Sequence, residues 1–447
     1  MGSQGPPLKD MLHDEDPRLL AELKSRSREL AFEDPLDDLI DRIGDARFVL
    51  IGEASHGTSE YYSWRARLSQ RLIVEKGFSF VGVEGDWPDC YAVNRFVKGY
   101  ADGGDHARDV LKRFNRWPTW MWANWEVVAF ATWLRAHNER LPVGHRVGFY
   151  GLDVYSLWES LDAVLIHLRQ YHQQAVPAAM KAMACLHPFE RDPQNYAMSL
   201  RYVSEDCEDE VVRVLRELQL ARPDFPDDVE SHFNAEQNAL AAVGAERYYR
   251  TMIQNDDSSW NVRDTHMTDT LDRLLVHYGP TSKAIVWEHN THVGDARATD
   301  MAEAGMVNVG QLVRSRQGRD DCFIVGFSGY GGEVIAGDYW GAPMEAMSVP
   351  AARDGSWEHL LHSADPMDRL VLTSDLRDVP EFRRRRGHRA IGVVYHPDRE
   401  RWGNYVPTDL INRYDALIAF EQTSALHPLH LNERSLVEPP ETYPYAL

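Results

Sequence analysis

Three features of the sequence predict an α/β fold, with a largely parallel central sheet flanked by helices and a large helical insertion. First, the apolar runs Phe48-Val49-Leu50-Ile51, Phe80-Val81-Gly82-Val83 and Ala284-Ile285-Val286-Trp287 are short and β-rich, as expected of strands buried in a parallel sheet. Second, each run ends in a burst of ionisable residues: Gly52-Glu53-Ala54-Ser55-His56-Gly57, Glu84-Gly85-Asp86-Trp87 and Glu288-His289-Asn290-Thr291-His292. In open α/β sheets the ligand crevice lies beyond the carboxyl ends of the strands. Carboxylates and imidazoles delivered there from distant parts of the chain therefore predict one catalytic cleft. Third, from about 156 to 280 strand-and-glycine punctuation gives way to long helical stripes.

Taken in order, residues 1–36 are polar and proline-punctuated, which predicts a loose arm followed by a short helix. The βα pattern begins near 46. After the first strand, Thr58 is placed to cap a helix whose apolar positions Tyr61, Trp64, Leu68, Leu72 and Ile73 keep helical spacing, with Gly77 as the stop. A third strand, Arg146-Val147-Gly148-Phe149-Tyr150, leads into Gly151-Leu152-Asp153. Ser156 and Glu159 have capping-box spacing, and Leu157, Leu161, Val164, Leu165 and Leu168 continue as a stripe. Further helical patterns cover 206–220, 229–254 and 259–278. Strands resume at 283–287, 322–327, 390–396 and 416–420, with Gly329, Gly331 and Gly332 in loops and a tail marked by Pro428, Pro439, Pro440 and Pro444. The expected organisation is an arm and short helix at 1–36, an α/β catalytic core at 37–155 and 281–447, and a helical insertion at 156–280 lying over the cleft.

Bulk properties narrow the function. With 447 residues and 43% hydrophobic content, the chain can build a sizeable core. Its 48 basic against 69 acidic residues give a net charge of −21, which argues against nucleic acid or an anionic membrane as partner. A small neutral or cationic substrate suits this balance better. No stretch approaches the roughly 20 apolar residues of a membrane span, and the first residues lack the apolar core of a secretory signal. Cys90, Cys185, Cys207 and Cys322 are scattered without a C-x-x-C pair. The expectation is therefore four thiols in a reduced, cytoplasmic setting.

His56 sits in a strand-to-helix turn with Glu53 three residues earlier, and a carboxylate beside an imidazole fixes its tautomer and raises its basicity, as a general base requires. A lone strand-end histidine is more often a hydrogen-bonded structural residue; the neighbouring clusters tip the balance toward chemistry. Arg65 and Arg67 follow on the next helix, where pointing at the cleft and pairing on the surface are equally compatible with spacing. Of Glu84 and Asp86, one is expected to cap the next element and the other to reach the crevice. His289 and His292 form an H-x-x-H, which occurs in metal sites and in metal-free active sites alike. Glu53, His56, Glu84, His289 and His292 converging on a divalent ion thus remains an alternative. Arg263-Asp264 is read as a buried salt bridge supporting the site, and Arg383-Arg384-Arg385-Arg386 as a solvated loop. No nucleophile elbow, P-loop or dinucleotide fingerprint is present; Gly326-Phe327-Ser328-Gly329 is out of register for the first.

The stretches Gly52–Gly57, Val83–Trp87, Gly151–Tyr155, Asn261–Met267 and Trp287–Val293, with Gly392–Tyr395 and Phe420–Thr423, resemble the motifs of the erythromycin esterase family over about 46–430. The resemblance implies a hydrolase that opens a macrolide lactone by water attack without a serine nucleophile and without a cofactor. His56 then matches the general base and Glu53 its acidic partner, while Arg65, Glu84, His289 and His292 match the remaining polar residues of the cleft. Asp86, Trp87, Glu288 and Asn290 are expected to contact substrate. Glu288 departs from the small residue usual beside the histidine motif, so site polarity or substrate charge preference is expected to differ. A non-catalytic binding or sequestering protein is the reading from another class, and the paired acid and base argue against it.

Overall fold

The computed structural model describes residues 16–430, except 32, 190–195, 198, 200–206, 221–229 and 253–255. The strands are β1 (Ser27–Glu29), β2 (Phe48–Ile51), β3 (Phe80–Asp86), β4 (Gly148–Asp153), β5 (Ala284–Trp287), β6 (Cys322–Ala336), β7 (Glu345–Val349), β8 (Arg369–Leu372), β9 (Arg386–Arg389), β10 (Tyr405–Thr408) and β11 (Ala416–Thr423). A nine-stranded sheet has the order β1-β8-β11-β6-β2-β5-β3-β4, with β7 added along β6. From β11 to β4 every neighbouring pair is parallel, while β8, β1 and β7 join antiparallel.

The apolar runs are continuous because both faces of the sheet are covered. Side chains alternate across a strand, and the two sets go to different cores. Val49, Ile51, Val81, Val83, Ile285 and Trp287 pack with Tyr62, Leu68 and Leu72 of the helix Ser59–Lys76. Phe48, Leu50, Phe80, Ala284 and Val286 pack on the other side with Met267, Leu271 and Leu274 of the helix Asp256–Tyr278. Parallel register places Ile51, Trp287 and Val83 level across β2, β5 and β3. The polar clusters that follow these residues therefore start at the same edge of the sheet.

Residues 157–278 carry helices at Leu157–Tyr171, Val176–Leu186, Glu208–Leu220, Ser231–Met252 and Asp256–Tyr278. The first four share an apolar cluster of their own, which includes Leu161, Val164, Leu168, Val211, Val214, Ala239 and Ala242. The parts of the predicted helical patterns at 206, 229 and 253–254 lie outside the described residues, as do the arm before residue 16 and the tail prolines Pro439, Pro440 and Pro444.

Several local expectations are corrected. Cys185 and Cys207 form a disulfide across 22 positions, so two of the four cysteines are not thiols; Cys90 and Cys322 are free and buried. A disulfide is uncommon in reducing compartments, which weakens the ground for expecting one. The third strand lies at Gly148–Asp153 rather than 146–150. Gly329, Gly331 and Gly332 belong to β6, whose distal part gains β7 as partner. No continuous strand covers 390–396; Ile391 and Val394 make isolated bridges to Ser55 and Gly337. Arg386 is buried at the start of β9, leaving only Arg383–Arg385 exposed. Neither Thr58 nor Ser156 caps its helix: their hydroxyls meet those of Ser55 and Ser160 instead. Among the described residues no helix is long and apolar enough to cross a membrane.

Candidate active site

The turn after β2 is drawn tight by backbone contacts. A Cβ on Gly57 would meet the Ile335 carbonyl oxygen at 1.9 Å, and that close approach lets the Gly57 carbonyl accept from Ile335 and Leu426 N–H groups at 2.9 Å. Ala54 is fixed in the same way, its carbonyl accepting from Ile391 N–H at 2.8 Å. The turn so held presents Glu53 and His56. Nδ1 of His56 lies 2.9 Å from Glu53 Oε1, and the other Glu53 oxygen is 2.8 Å from Arg65 Nη2. A carboxylate on Nδ1 requires the proton there, which leaves Nε2 as the lone-pair atom.

Arg65 is fully buried behind Glu53, its guanidinium 4.2 Å from the Tyr62 ring centre and 5.2 Å from that of Trp287. It is thus part of the scaffold of the acid–base pair, out of reach of a substrate oxygen. Its contact with Glu53 is an ion pair without an aligned hydrogen bond.

The ends of β3 and β5 are joined through Glu84. One Glu84 oxygen accepts from the His289 backbone N–H at 2.8 Å, and the other from Arg263 Nη2 at 2.7 Å. Burial alone would raise its pKa, but His292, Arg263 and His56 outweigh it and hold the carboxyl well below the usual range. Glu84 is therefore an anion within the site.

Two of the three histidines are pushed to opposite states. His289 caps the short helix Asn290–Val293: its Nδ1 accepts from Thr291 N–H and lies 2.8 Å from the Thr291 hydroxyl. Its proton is then on Nε2, a buried nitrogen facing the Ala54 carbonyl without an aligned hydrogen bond. Burial and the neighbouring His56 lower its pKa well below 6.5, so it is a neutral donor, with ring centres 4.9 Å apart from His56. His292 goes the other way. Burial opposes its charge, but Asp264 and Glu84 raise the pKa to about 10. Both Asp264 oxygens lie on Nδ1 (2.9 and 3.0 Å), Glu84 Oε1 is 3.4 Å from Nε2, and the Trp260 ring stacks on the imidazole at 4.5 Å. Arg263 Nη1 also approaches Nε2 at 3.1 Å. With the ring charged, Nε2–H faces Glu84, and Arg263 is a like-charged neighbour compensated by Glu84 and Asp153.

Arg263 and Asp264 do not pair with each other, which corrects the expected salt bridge. Successive helix residues point about 100° apart. Arg263 takes Asp153 in a two-pronged contact at 2.9 and 2.7 Å, and Asp264 takes His292. Sequence reasoning gave Asp153 no role, although it ends a strand like Glu53 and Glu84, and it missed Trp260.

The other expected substrate contacts are engaged within the protein. Trp87 is packed in the core, stacked on Tyr150 at 5.4 Å and donating to Asn234 Oδ1 at 2.9 Å. Asn290 is a fully buried strut: its backbone N–H donates to the Glu53 carbonyl at 2.8 Å and its Nδ2 to the Phe327 carbonyl at 2.7 Å. Glu288 is fully buried with both oxygens lacking hydrogen-bond partners; burial drives its pKa well above the usual range, so it is a neutral acid rather than an added charge. Asp86 is held by Arg116 and by the Tyr155 N–H at 3.2 Å. His56, at 8%, is the most exposed of the three histidines.

A largely parallel sheet flanked by helices, with buried acids and imidazoles of divergent protonation at the carboxyl ends of adjacent strands, defines the class as an α/β protein. The chain belongs to the erythromycin esterase family, whose model, described as erythromycin esterase, matches residues 73–423. That span includes Glu84, Asp153, Arg263, Asp264, His289 and His292, and begins after the Glu53–His56 turn. Erythromycin esterase type II of Escherichia coli is 21% identical over 375 residues, covering 76% of this chain and 84% of that protein. A solved succinoglycan biosynthesis protein superposes with a TM-score of 0.74 at 19% identity, over 95% of this chain and all of that one. A mutant of the erythromycin esterase EreC in its open conformation gives 0.65 at 18% identity, over 94% and 98%. Such structural likenesses establish the shared fold.

Proposed function

We propose that this protein is a carboxylic ester hydrolase of the erythromycin esterase type, opening a macrolide or related lactone by attack of a water molecule activated by His56. The observation that carries the reading is the contrast between His56 and His289. His56 has its Nδ1 tied to Glu53 and its Nε2 left as acceptor, whereas the adjacent His289 offers a buried Nε2–H held only by an unaligned contact with the Ala54 carbonyl. In this mechanism His56 Nε2 takes the proton of the water as its oxygen bonds to the carbonyl carbon, and returns that proton to the departing alkoxide as the ester C–O bond breaks. The developing oxyanion is met by His289 Nε2–H, a donor already oriented and shielded from solvent. His292, Glu84, Arg263 and Asp153 hold the surrounding field, and Arg65 pairs with the outer oxygen of Glu53. Seclusion of the site fits chemistry that excludes competing solvent.

The helical segment 156–280 covers this cleft in the same proposal, because Trp260, Arg263 and Asp264 reach the site from its last helix. A macrocycle enters only if this cover moves. The test is a hydrolysis screen of purified protein over macrolides, smaller lactones and aryl esters, read by a mass gain of one water. Turnover of a lactone or ester that is abolished in His56→Asn supports the reading; absence of hydrolysis across all three classes overturns it.

A further inference from the structure

We propose that His167, His172 and His232 form a binding site for a divalent transition-metal ion, built into the helical segment apart from the acid–base cleft. Among the described residues, these are the one group of three histidine, cysteine, aspartate or glutamate side chains whose ligand atoms all lie within 4.8 Å of one another. Their ring centres are 5.8, 6.0 and 6.3 Å apart, with no pair stacked face to face.

The local fold explains the convergence. His167 lies in the penultimate turn of the helix Leu157–Tyr171, and His172 is five positions on. On an unbroken helix five residues rotate by about 500°, placing the two rings roughly 140° apart. The helix instead ends at His172, whose φ of −142° and ψ of 62° leave helical space and return its ring toward His167. His232 comes from the first turn of Ser231–Met252, the helix packed against Leu157–Tyr171. The three ligands thus come from two packed helices and one helix exit.

The chemistry favours a metal over other occupants. His167 and His172 are buried. A neutral imidazole donates a ring-nitrogen lone pair to a metal, so binding at this cluster is expected to weaken as pH falls. The three ligands given by the described residues are all imidazoles, and nitrogen donors of this kind favour zinc, cobalt, nickel or copper over magnesium or calcium. Zinc–nitrogen bonds of about 2.0–2.1 Å in tetrahedral geometry place ligand nitrogens roughly 3.3 Å apart. Modest inward rotation of the rings closes the present spacing to that value, and water completes the fourth position. The bound ion would cross-link the exit of one helix to the entry of another.

The experiment uses the full chain, freed of metal by chelator and dialysis. Zinc is titrated calorimetrically, and cobalt(II) is added as a spectroscopic probe of tetrahedral nitrogen coordination. One zinc per chain is expected, with intense visible cobalt bands and a rise in melting temperature. Loss of an outer-shell partner of a metal ligand already costs 10–100-fold, so His167→Ala, His172→Ala and His232→Ala should each weaken binding by at least about tenfold, and the triple variant should not bind. Protection of these three histidines from diethyl pyrocarbonate by zinc in the unmodified chain gives a second readout that needs no variant. The proposal is overturned if the unmodified chain takes up no stoichiometric zinc. It is equally overturned if uptake is unchanged in the folded triple variant, or if zinc protects the His56, His289 and His292 group instead.

Discussion

His56→Asn separates the general base from its scaffold. The asparagine Nδ2 occupies nearly the place of His56 Nδ1, so it can still donate to Glu53 Oε1, now 2.9 Å from that nitrogen. Glu53 keeps its ion pair with Arg65, and the buried charges remain compensated. The substitution therefore removes little except the Nε2 lone pair. Loss of a general base costs roughly 10²–10⁴-fold in rate, equivalent to about 2.7–5.4 kcal/mol of barrier. The assay is kcat and kcat/KM on the best substrate of the ester and lactone panel, with circular dichroism melting to verify the fold. Turnover should fall by that factor while the melting temperature and KM change little. The acidic limb of the pH–rate profile should vanish, because it reports protonation of the base. His289→Ala should also slow the reaction, by roughly 10²–10³-fold if Nε2–H is the oxyanion donor, yet should keep the acidic limb. Near-normal turnover in His56→Asn, with the limb intact, would refute the mechanism.

Four further outcomes follow from the same geometry. Glu53→Gln leaves the fully buried Arg65 cation uncompensated, so about 3–5 kcal/mol of stability should be lost along with activity; an unchanged denaturation midpoint would contradict the pairing. The pKa of His292 is raised to about 10 by Asp264 and Glu84 against the opposing effect of burial, so the stability it contributes is full below about 6.5 and disappears as pH rises through 10. Melting temperatures from pH 6 to 10 should therefore fall less steeply in Asp264→Asn, and parallel profiles would count against a charged His292. Glu288→Gln replaces a neutral buried acid by a neutral amide and should leave rate and stability nearly unchanged, whereas a large shift in either would mean that Glu288 ionises. Ser55 is buried with its hydroxyl engaged by Thr58, so Ser55→Ala and serine-directed organophosphates should leave turnover within a small factor; an acyl adduct on any side chain, seen by intact mass, would overturn water attack.

The gathering of the polar clusters at one sheet edge is readable from local pattern alone. Apolar runs with a period suited to two-sided burial fix β2, β3 and β5 as interior parallel strands, and parallel strands bring their carboxyl ends to one edge. Glu53, His56, Glu84, His289 and His292 were legible for that reason. The pairing of Glu53 with His56 was legible too, since three residues in a tight turn leave the side chains few other partners.

Which atom meets which depends on how the elements pack. β5 enters between β2 and β3 although it comes far later in the chain, and that strand order sets His289 beside His56 and its N–H on Glu84. The rotation of the helix Asp256–Tyr278 about its axis sends Arg263 to Asp153 and Asp264 to His292, a choice that spacing along one helix cannot make. Trp87, Asn290 and Glu288 carry the same kinds of side chain as substrate-binding residues, and only the covering elements show them to be interior. The Cys185–Cys207 bond likewise depends on helix packing. Local periodicity fixes which face of an element is apolar and where it ends. Partners across the molecule depend on strand order, helix rotation and the depth to which each group is buried, and these are settled jointly when the whole core packs.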